Sequence, residues 1–376
     1  MLFLVVSISL TVIYASLILY YRLQWLKIND FQIVQEGSVK ISVIIPARNE
    51  EMNIKKCLNS IVSQTYNIQL FEVIVVDDFS TDETGNIVES YHRENISCLR
   101  LRDHIGNNRI NSYKKKAIEL AISKSIGDLI VTTDADCSLP PRWLETIASF
   151  YKEHLPAFIC APVAFTTNKT FLSIFQALDF MTLQGITGAA VNNNFHSMCN
   201  GANLAYEKKA FYEVGGFQGI DQLASGDDMF LMNKIALAYP ERIKYLKSKD
   251  VIVHTNPMVT VRDFINQRIR WASKSTTYSD KKIIAVLALV YGFNVWILLI
   301  GIFSFVYPSI LLLFIIVLVF KTAIELCFLF PVAAFFDQRK MLWWFPIAQP
   351  IHIIYTIIAG WLGKFGSYKW KDRRVK

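Results

Sequence analysis

At 376 residues the chain can hold one large domain or two ordinary ones, and its 53% hydrophobic content is high for a protein that meets only water. The formal charge of +8 does not point to nucleic acid, because six Lys/Arg against one Asp lie between residues 364 and 376, so most of the excess is a C-terminal tail. Six cysteines (57, 98, 137, 160, 199 and 327) show no paired metal-ligand spacing and no dense framework, which excludes a disulfide scaffold and leaves reduced thiols as the simplest account.

The chain opens on a charge-free apolar run, residues 2 to 21, that ends at Arg22 and Lys27. Its length spans a bilayer. It lacks the basic start, short apolar core and small-residue cleavage site of a signal peptide, so residues 1–22 read as a retained membrane anchor.

Residues 38–280 are more polar and alternate between strand and helix patterns. Residues 39 to 45 form a strand, with Pro46 expected to halt it, and residues 50 to 64 carry Ile54, Leu58, Ile61 and Val62 at helical spacing. A second strand, residues 71 to 76, ends at Asp77-Asp78, where Ser80 and Glu83 have capping-box spacing for the following helix. A weaker strand at 97 to 102 and a helix at 115 to 124 precede Gly127-Asp128-Leu129-Ile130-Val131-Thr132-Thr133-Asp134-Ala135-Asp136. This order implies an α/β domain with a mostly parallel sheet. Ligands of such sheets bind beyond the carboxyl ends of the strands, where Arg48, Asp78 and Asp134 fall.

Side chains in a strand alternate, so Asp134 and Asp136 point the same way. Two carboxylates side by side invite a hard divalent cation, Mg²⁺ or Mn²⁺, with diphosphate oxygens and water as its other ligands. The plainer reading of an isolated D-x-D is a polar strand exit. Three successive strand ends with polar residues (Pro46-Ala47-Arg48-Asn49-Glu50, Asp77-Asp78, and Asp134-Ala135-Asp136) jointly favour a nucleotide site. There is no G-x-G-x-x-G and no Walker sequence, so neither a dinucleotide dehydrogenase nor a P-loop ATPase is supported.

Residues 283 to 305 and 309 to 330 are each long enough to cross a membrane, and a third apolar run, 342 to 363, contains Pro346 and Pro350, which argue against a straight helix. Lys321 and Glu325, four apart within a span, are expected to pair and face protein. The basic flanks and the tail, residues 364–376, place those ends in the cytosol by the positive-inside rule. A fourth full crossing would put the tail outside, so the run within 283–363 nearest the tail is expected not to cross completely.

Several stretches, taken in order, resemble family 2 glycosyltransferases: "VIIPARNEE", "VIVVDDFSTDET", "GDLIVTTDADC", "CNGANLAYEKKAFYEVGGF", "ASGDDMFL", and "QRIRW" at 267 to 271, a Q-x-x-R-W signature. The resemblance runs from Ile41 to Trp271. It implies a GT-A domain, Rossmann-like with a mostly parallel sheet, here cytosolic and flanked by N- and C-terminal transmembrane helices.

The resemblance also implies roles. Asp78 reads the nucleobase, helped by Pro46, Arg48 and Glu50; Asp136 binds the cation directly and Asp134 supports it or contacts the nucleotide. Asp228 takes the acceptor proton, with its pKa expected to be raised by partial burial. Asp227 is its rival; adjacent helical residues diverge by about 100°, so one of the two is expected to face the acceptor. Gln267, Arg270 and Trp271 complete the catalytic end; Gly201, Asn203 and Trp271 contact the acceptor. Lys116, in the run 114 to 116, is the expected basic contact to the nucleotide phosphates. Asn192-Asn193-Asn194 and His196 read as a mobile loop, with His196 within reach of the acceptor.

The function expected is membrane-bound, metal-dependent, inverting transfer from a UDP- or GDP-sugar to a lipid-linked or glycan acceptor, without nucleic acid as partner. Two rivals stand beside single transfer: a processive polysaccharide synthase, favoured by Q-x-x-R-W, and a non-catalytic nucleotide-sugar-binding protein.

Overall fold

The computed structural model describes residues 2–105, 111–223, 226–274, 277, 280–365, 368–370 and 373–375. The central sheet is built from β1 (Ile41–Ala47), β2 (Phe71–Asp77), β3 (Ile96–Arg100), β4 (Leu129–Thr132), β5 (Phe158–Cys160), β7 (Leu204–Glu207) and β8 (Ile243–Tyr245), while β6 (Val163–Phe165) pairs separately with β9 (Val253–Thr255). The order is β3-β2-β1-β4-β7-β5-β8. The β3-β2-β1-β4 half is parallel and β7 runs antiparallel to both of its neighbours. The chain passes from β1 outwards through β2 to β3, then returns to place β4 on the other side of β1. The carboxyl ends of β1 and β4 therefore border the crevice at this switch point.

Strand alternation sorts the core. Val43, Ile45, Val75 and Val131 face α2 (Ile54–Val62) and α6 (Trp143–His154), whereas Ile44, Ile74, Val76 and Ile130 face α5 (Tyr113–Lys124). Pro46 does not halt β1, which continues to Ala47 opposite Asp77. The Ile44 carbonyl faces β4, where it accepts from Thr133, and Pro46 has the same parity. Its missing donor thus points past the end of β4, where the ladder asks for none. The capping box expected at Ser80 and Glu83 is also absent: the Glu83 side chain makes no capping bond to α3 (Thr84–Glu89) and accepts from the Asn86 amide side chain instead, while Asp82 accepts from the Thr84 amide and hydroxyl at 3.1 and 2.6 Å.

Among the described residues, four helices are long and apolar enough to cross a membrane: α1 (Leu2–Leu26), α11 (Lys281–Val306), α12 (Leu311–Phe335) and α13 (Phe345–Phe365) with the turn before it. They are joined to the α/β domain by α7 (Phe171–Asn192), whose small residues permit close approach. A Cβ on Gly188 would lie 2.7 Å from the Trp25 ring of α1, and one on Gly185 would lie 2.7 Å from Val332 of α12. Helix α13 is unbroken despite its prolines: Pro346 falls in the first turn, whose N–H groups have no intrahelical acceptor, and Pro350 forfeits a single bond. α13 packs along α10 (Val261–Ser273), with Phe264 against Tyr355 at 5.2 Å between ring centroids and Gly363 against Ala272. Lys321 and Glu325 do pair, at 2.6 Å, with Lys321 fully buried and also 3.2 Å from Gln349 of α13.

Candidate active site

A cavity of about 1180 Å³ opens at the carboxyl ends of β1, β2 and β4 and extends to α10, α11 and α13. Pro46, Arg48, Glu50 and Asp78 line one end; Gln267, Arg270 and Trp271 line the other; Asp134, Asp136, Gly201, Asp227 and Asp228 lie between them. The fold thus places these twelve residues on one surface although they come from six segments of the chain.

At the first end, Asn49 adopts a left-handed backbone (φ 50°), turning the chain so that Arg48 Nη1 donates to the carbonyls of Asp78 and Phe79 at 2.8 and 2.9 Å. Those bonds tie the end of β1 to the end of β2. The Asp78 side chain is buried against the cavity, a position suited to a directional bond with a nucleobase edge.

In the middle, Lys114 of α5 binds Asp134 at 2.8 Å and lies 3.5 Å from Asp227. Burial alone would discharge this ammonium, but Asp134, Asp227 and Asp228 around it hold its pKa above the ordinary lysine value. Lys116, the expected contact, instead pairs with Glu119 at 3.3 Å and is half exposed away from the cavity. Two helical steps rotate the side chain by about 200°, so only one end of the lysine run can face the site.

Gly226 (φ 82°) turns the chain into α9 (Asp227–Ala238), which begins with the two aspartates. Both line the cavity, in the first turn of the helix, and they meet different lysines: Asp227 faces Lys114, and Asp228 faces Lys274 at 3.6 Å. Asp228 also accepts from the amides of Gly201 and Met229 at 3.2 and 2.8 Å. The expected rise in its pKa is overturned. Burial does push it up, but Lys274, Lys114 and the two amide bonds outweigh burial and hold the carboxyl below its ordinary 3.8. The group is therefore ionised and oriented at neutral pH.

Asp136 accepts from the Thr255 hydroxyl at 3.2 Å. With Asp134 occupied by Lys114, Asp136 is the carboxylate better placed to meet a cation directly. Among the described residues no group of three or more His, Cys, Asp or Glu side chains could hold a metal alone. That donor set fits a hard cation that takes one or two carboxylates from protein and the rest from phosphate and water.

Two positions depart further from expectation. Asn203 is fully buried outside the cavity lining: it accepts from Trp143 Nε1 at 2.9 Å and donates to the carbonyls of Pro162 and Val251 at 2.8 and 2.7 Å. It braces the sheet. His196 lines the cavity but is buried and bonded to Tyr21 at 2.8 Å, and burial pushes its pKa down to about 4.

The acceptor end has support that the motif did not reveal. Arg268, at a variable position of Q-x-x-R-W, is buried and reaches Asp179 of α7 with Nη2 at 2.6 Å and Nε at 3.0 Å. Its Nη1 donates to Gln267 at 2.8 Å, and its guanidinium lies 4.2 Å from the Trp271 ring centroid. Lys274 could have been suspected, since it stands four residues after Arg270 on the same helix face. Asp179 lies too far away in sequence to be paired by inspection.

The family described as Glycosyl transferase family 2 matches residues 42–215, and the one described as Glycosyl transferase family group 2 matches residues 129–359. The chain is 38% identical to the glycosyltransferase AglE of Haloferax volcanii over 107 residues, 28% of this chain and 33% of AglE. It is 34% identical to the poly(ribitol-phosphate) β-N-acetylglucosaminyltransferase TarS of Staphylococcus aureus over 117 residues, 31% of this chain and 19% of TarS. The matches therefore span a third or less of these curated relatives. Among solved structures, the mannosyltransferase PcManGT from Pyrobaculum calidifontis, in complex with GDP-Man and Mn²⁺, is similar with a TM-score of 0.53 at 19% identity, covering 93% of this chain and 98% of that one.

Proposed function

The chain belongs to the family 2 glycosyltransferases, and from that premise we propose that it is an inverting enzyme, held in a membrane with its active site in the cytosol, that moves a sugar from a UDP- or GDP-sugar to an acceptor hydroxyl. The observation that supports the reading is that one cavity is lined by Asp78, Asp136 and Asp228, to which we assign the nucleobase, the diphosphate and the acceptor.

Asp78 and Arg48 fix the base end of the donor. Asp136, with Asp134 beside it, would hold a Mg²⁺ or Mn²⁺ ion, which supplies charge neutralisation to the departing diphosphate. The complex of PcManGT with Mn²⁺ supports that choice of cation. Lys114 adds a fixed positive charge near the same oxygens and keeps Asp134 from competing as a second base. Asp228, ionised and held by two amides and Lys274, accepts the proton of the acceptor hydroxyl as its oxygen attacks the anomeric carbon from the face opposite the diphosphate. One base and one stabilised leaving group suffice for a single displacement. Trp271, steadied by Arg268, offers a ring face on which a sugar can stack.

Packing of α13 along α10 supports its lying beside the catalytic domain rather than crossing fully, which keeps the basic tail on the cytosolic side. The test is a panel of UDP- and GDP-sugars with and without Mg²⁺ or Mn²⁺, followed by the anomeric configuration of the product by NMR. Metal-dependent release of the nucleoside diphosphate with an inverted product supports the proposal; a retained anomer contradicts it.

A further inference from the structure

The catalytic cavity has a second half that donor chemistry does not use. Beyond Asp228 it runs between α11 and α13, where Ile284, Leu287 and Ala288, spaced three and one apart on one face of α11, oppose Ala359, Gly360 and Trp361 of α13. Every residue that α11 contributes to the lining, from Ile283 to Tyr291, is aliphatic apart from that tyrosine. These walls, whose polar side chains are Tyr291 of α11 and Tyr355, Thr356 and Lys364 of α13, offer too few hydrogen bonds to replace the water that a glycan's hydroxyls would lose on entering. They suit hydrocarbon, for which each buried methylene is worth about a fourfold gain in affinity.

The junction between the two halves is cationic. Lys274 sits 3.6 Å from Asp228, and Arg270 and Lys364 line the same cavity. Both bounding helices are among those long and apolar enough to meet a bilayer, and Leu287 and Trp361 remain exposed, so the apolar half opens where lipid would lie. Cations at that level match the headgroup zone of a membrane.

We propose that this half holds the hydrocarbon tail of the acceptor, which is therefore a membrane lipid carrying a hydroxyl on its headgroup, and that the product is a glycolipid made by single transfer. The inference rests on the reading of Asp228 as base. In the step, the lipid oxygen forms its bond to the anomeric carbon, the bond from that carbon to the diphosphate oxygen breaks with its electron pair leaving on the diphosphate, and the lipid hydroxyl proton passes to the Asp228 carboxylate.

The probe is a series of 1-alkylglycerols with hexyl, octyl and decyl chains, offered to the full chain in nanodiscs of dioleoylphosphatidylcholine with whichever nucleotide sugar supports diphosphate release. Transfer to alkylglycerol is read as label extracted into organic solvent. In the wild type, KM falls by up to about fifteenfold for each two methylenes added. Partition into the bilayer contributes to that trend, so the decisive comparison is with Ala288→Trp, and with Leu287→Trp should the first fail to fold. The ratio of variant to wild-type KM must grow from hexyl to decyl. A ratio that stays flat, or label that accumulates only in water-soluble polymer, overturns the lipid-tail assignment while leaving the glycosyltransferase reading intact. Absence of diphosphate release with every donor would instead overturn the proposed function.

Discussion

Lys114 binds Asp134 at 2.8 Å, so this carboxylate of the D-x-D pair is neutralised by the protein's own ammonium. The same ammonium, 3.5 Å from Asp227, links the end of β4 to the start of α9. Lys114→Met would leave Asp134 and Asp227 uncompensated across the cavity, and kcat/KM is expected to fall ten- to a hundredfold, about 1.4 to 3 kcal/mol of transition-state stabilisation. Lys116→Met, whose parent pairs with Glu119 on the outer side of α5, is expected to stay within twofold of wild type. Steady-state kinetics of the two variants side by side check this.

Asp228 is held below its ordinary pKa, with Lys274 and Lys114 overcoming the upward push of burial. The proposed base is therefore already ionised across the neutral range, and the acid limb of kcat/KM is expected below the ordinary carboxyl value of 3.8. Lys274→Met removes a positive charge that favours the carboxylate, so the acid limb moves to higher pH. An acid limb that stayed in place would show that Lys274 does not act on the base.

How far the site could be read from sequence depended on whether its parts were local. Asp78, Asp134 and Asp136 were legible because a strand followed by a polar turn is written in consecutive residues, but period-two alternation does not reach them: β2 ends at Asp77 and β4 at Thr132, and Asp136 lies in a turn. Helix phase and distant pairing were not legible in the same way. The lysine run at 114 to 116 announces a basic contact but not which member faces inwards. Arg268 looks like a filler position in Q-x-x-R-W until α7 brings Asp179 to it from nearly ninety residues earlier. Asn203 shares a polar stretch with Gly201, yet its neighbour lines the cavity while it turns into the core. The antiparallel β7 was likewise hidden, since a strand's direction is set by where its partners lie.

The pair Arg268 and Asp179 is buried on both sides, with side-chain exposures of 4% and 5%. Removing one partner strands the other charge, so Asp179→Ala is expected to destabilise the fold by roughly 3–5 kcal/mol. The double variant Asp179→Leu with Arg268→Met should recover much of that stability but not activity, because Gln267 and Trp271 lose the guanidinium that orients them. Thermal melts read the first effect and kcat/KM the second; recovery of both would reduce the pair to packing.

His196 binds a proton only near pH 4 in the folded chain, against about 6.5 when unfolded, because burial disfavours its charged form. Between those values the unfolded chain holds more protons, so stability declines as pH falls from 6.5 towards 4. The Tm of His196→Gln should decline less over this window than that of the wild type. Equal slopes would mean that the imidazole is reached by water.

Asn203 makes three buried bonds and contacts no part of the cavity. Asn203→Ala is expected to lower stability by about 2–3 kcal/mol, leaving donors and acceptors unpaired. The specific activity of its folded fraction should remain near wild type. A normal Tm with a raised acceptor KM would restore it to the acceptor site.

The central claim is that Asp228 deprotonates the acceptor, and transfer by Asp228→Asn measured against donor binding tests it most directly. With saturating Mg²⁺ or Mn²⁺ and the donor that the wild type uses, the variant should bind the nucleotide sugar with near-normal Kd and lose at least a thousandfold in kcat, whereas Asp227→Asn should retain substantial turnover. Full activity in Asp228→Asn would contradict the account.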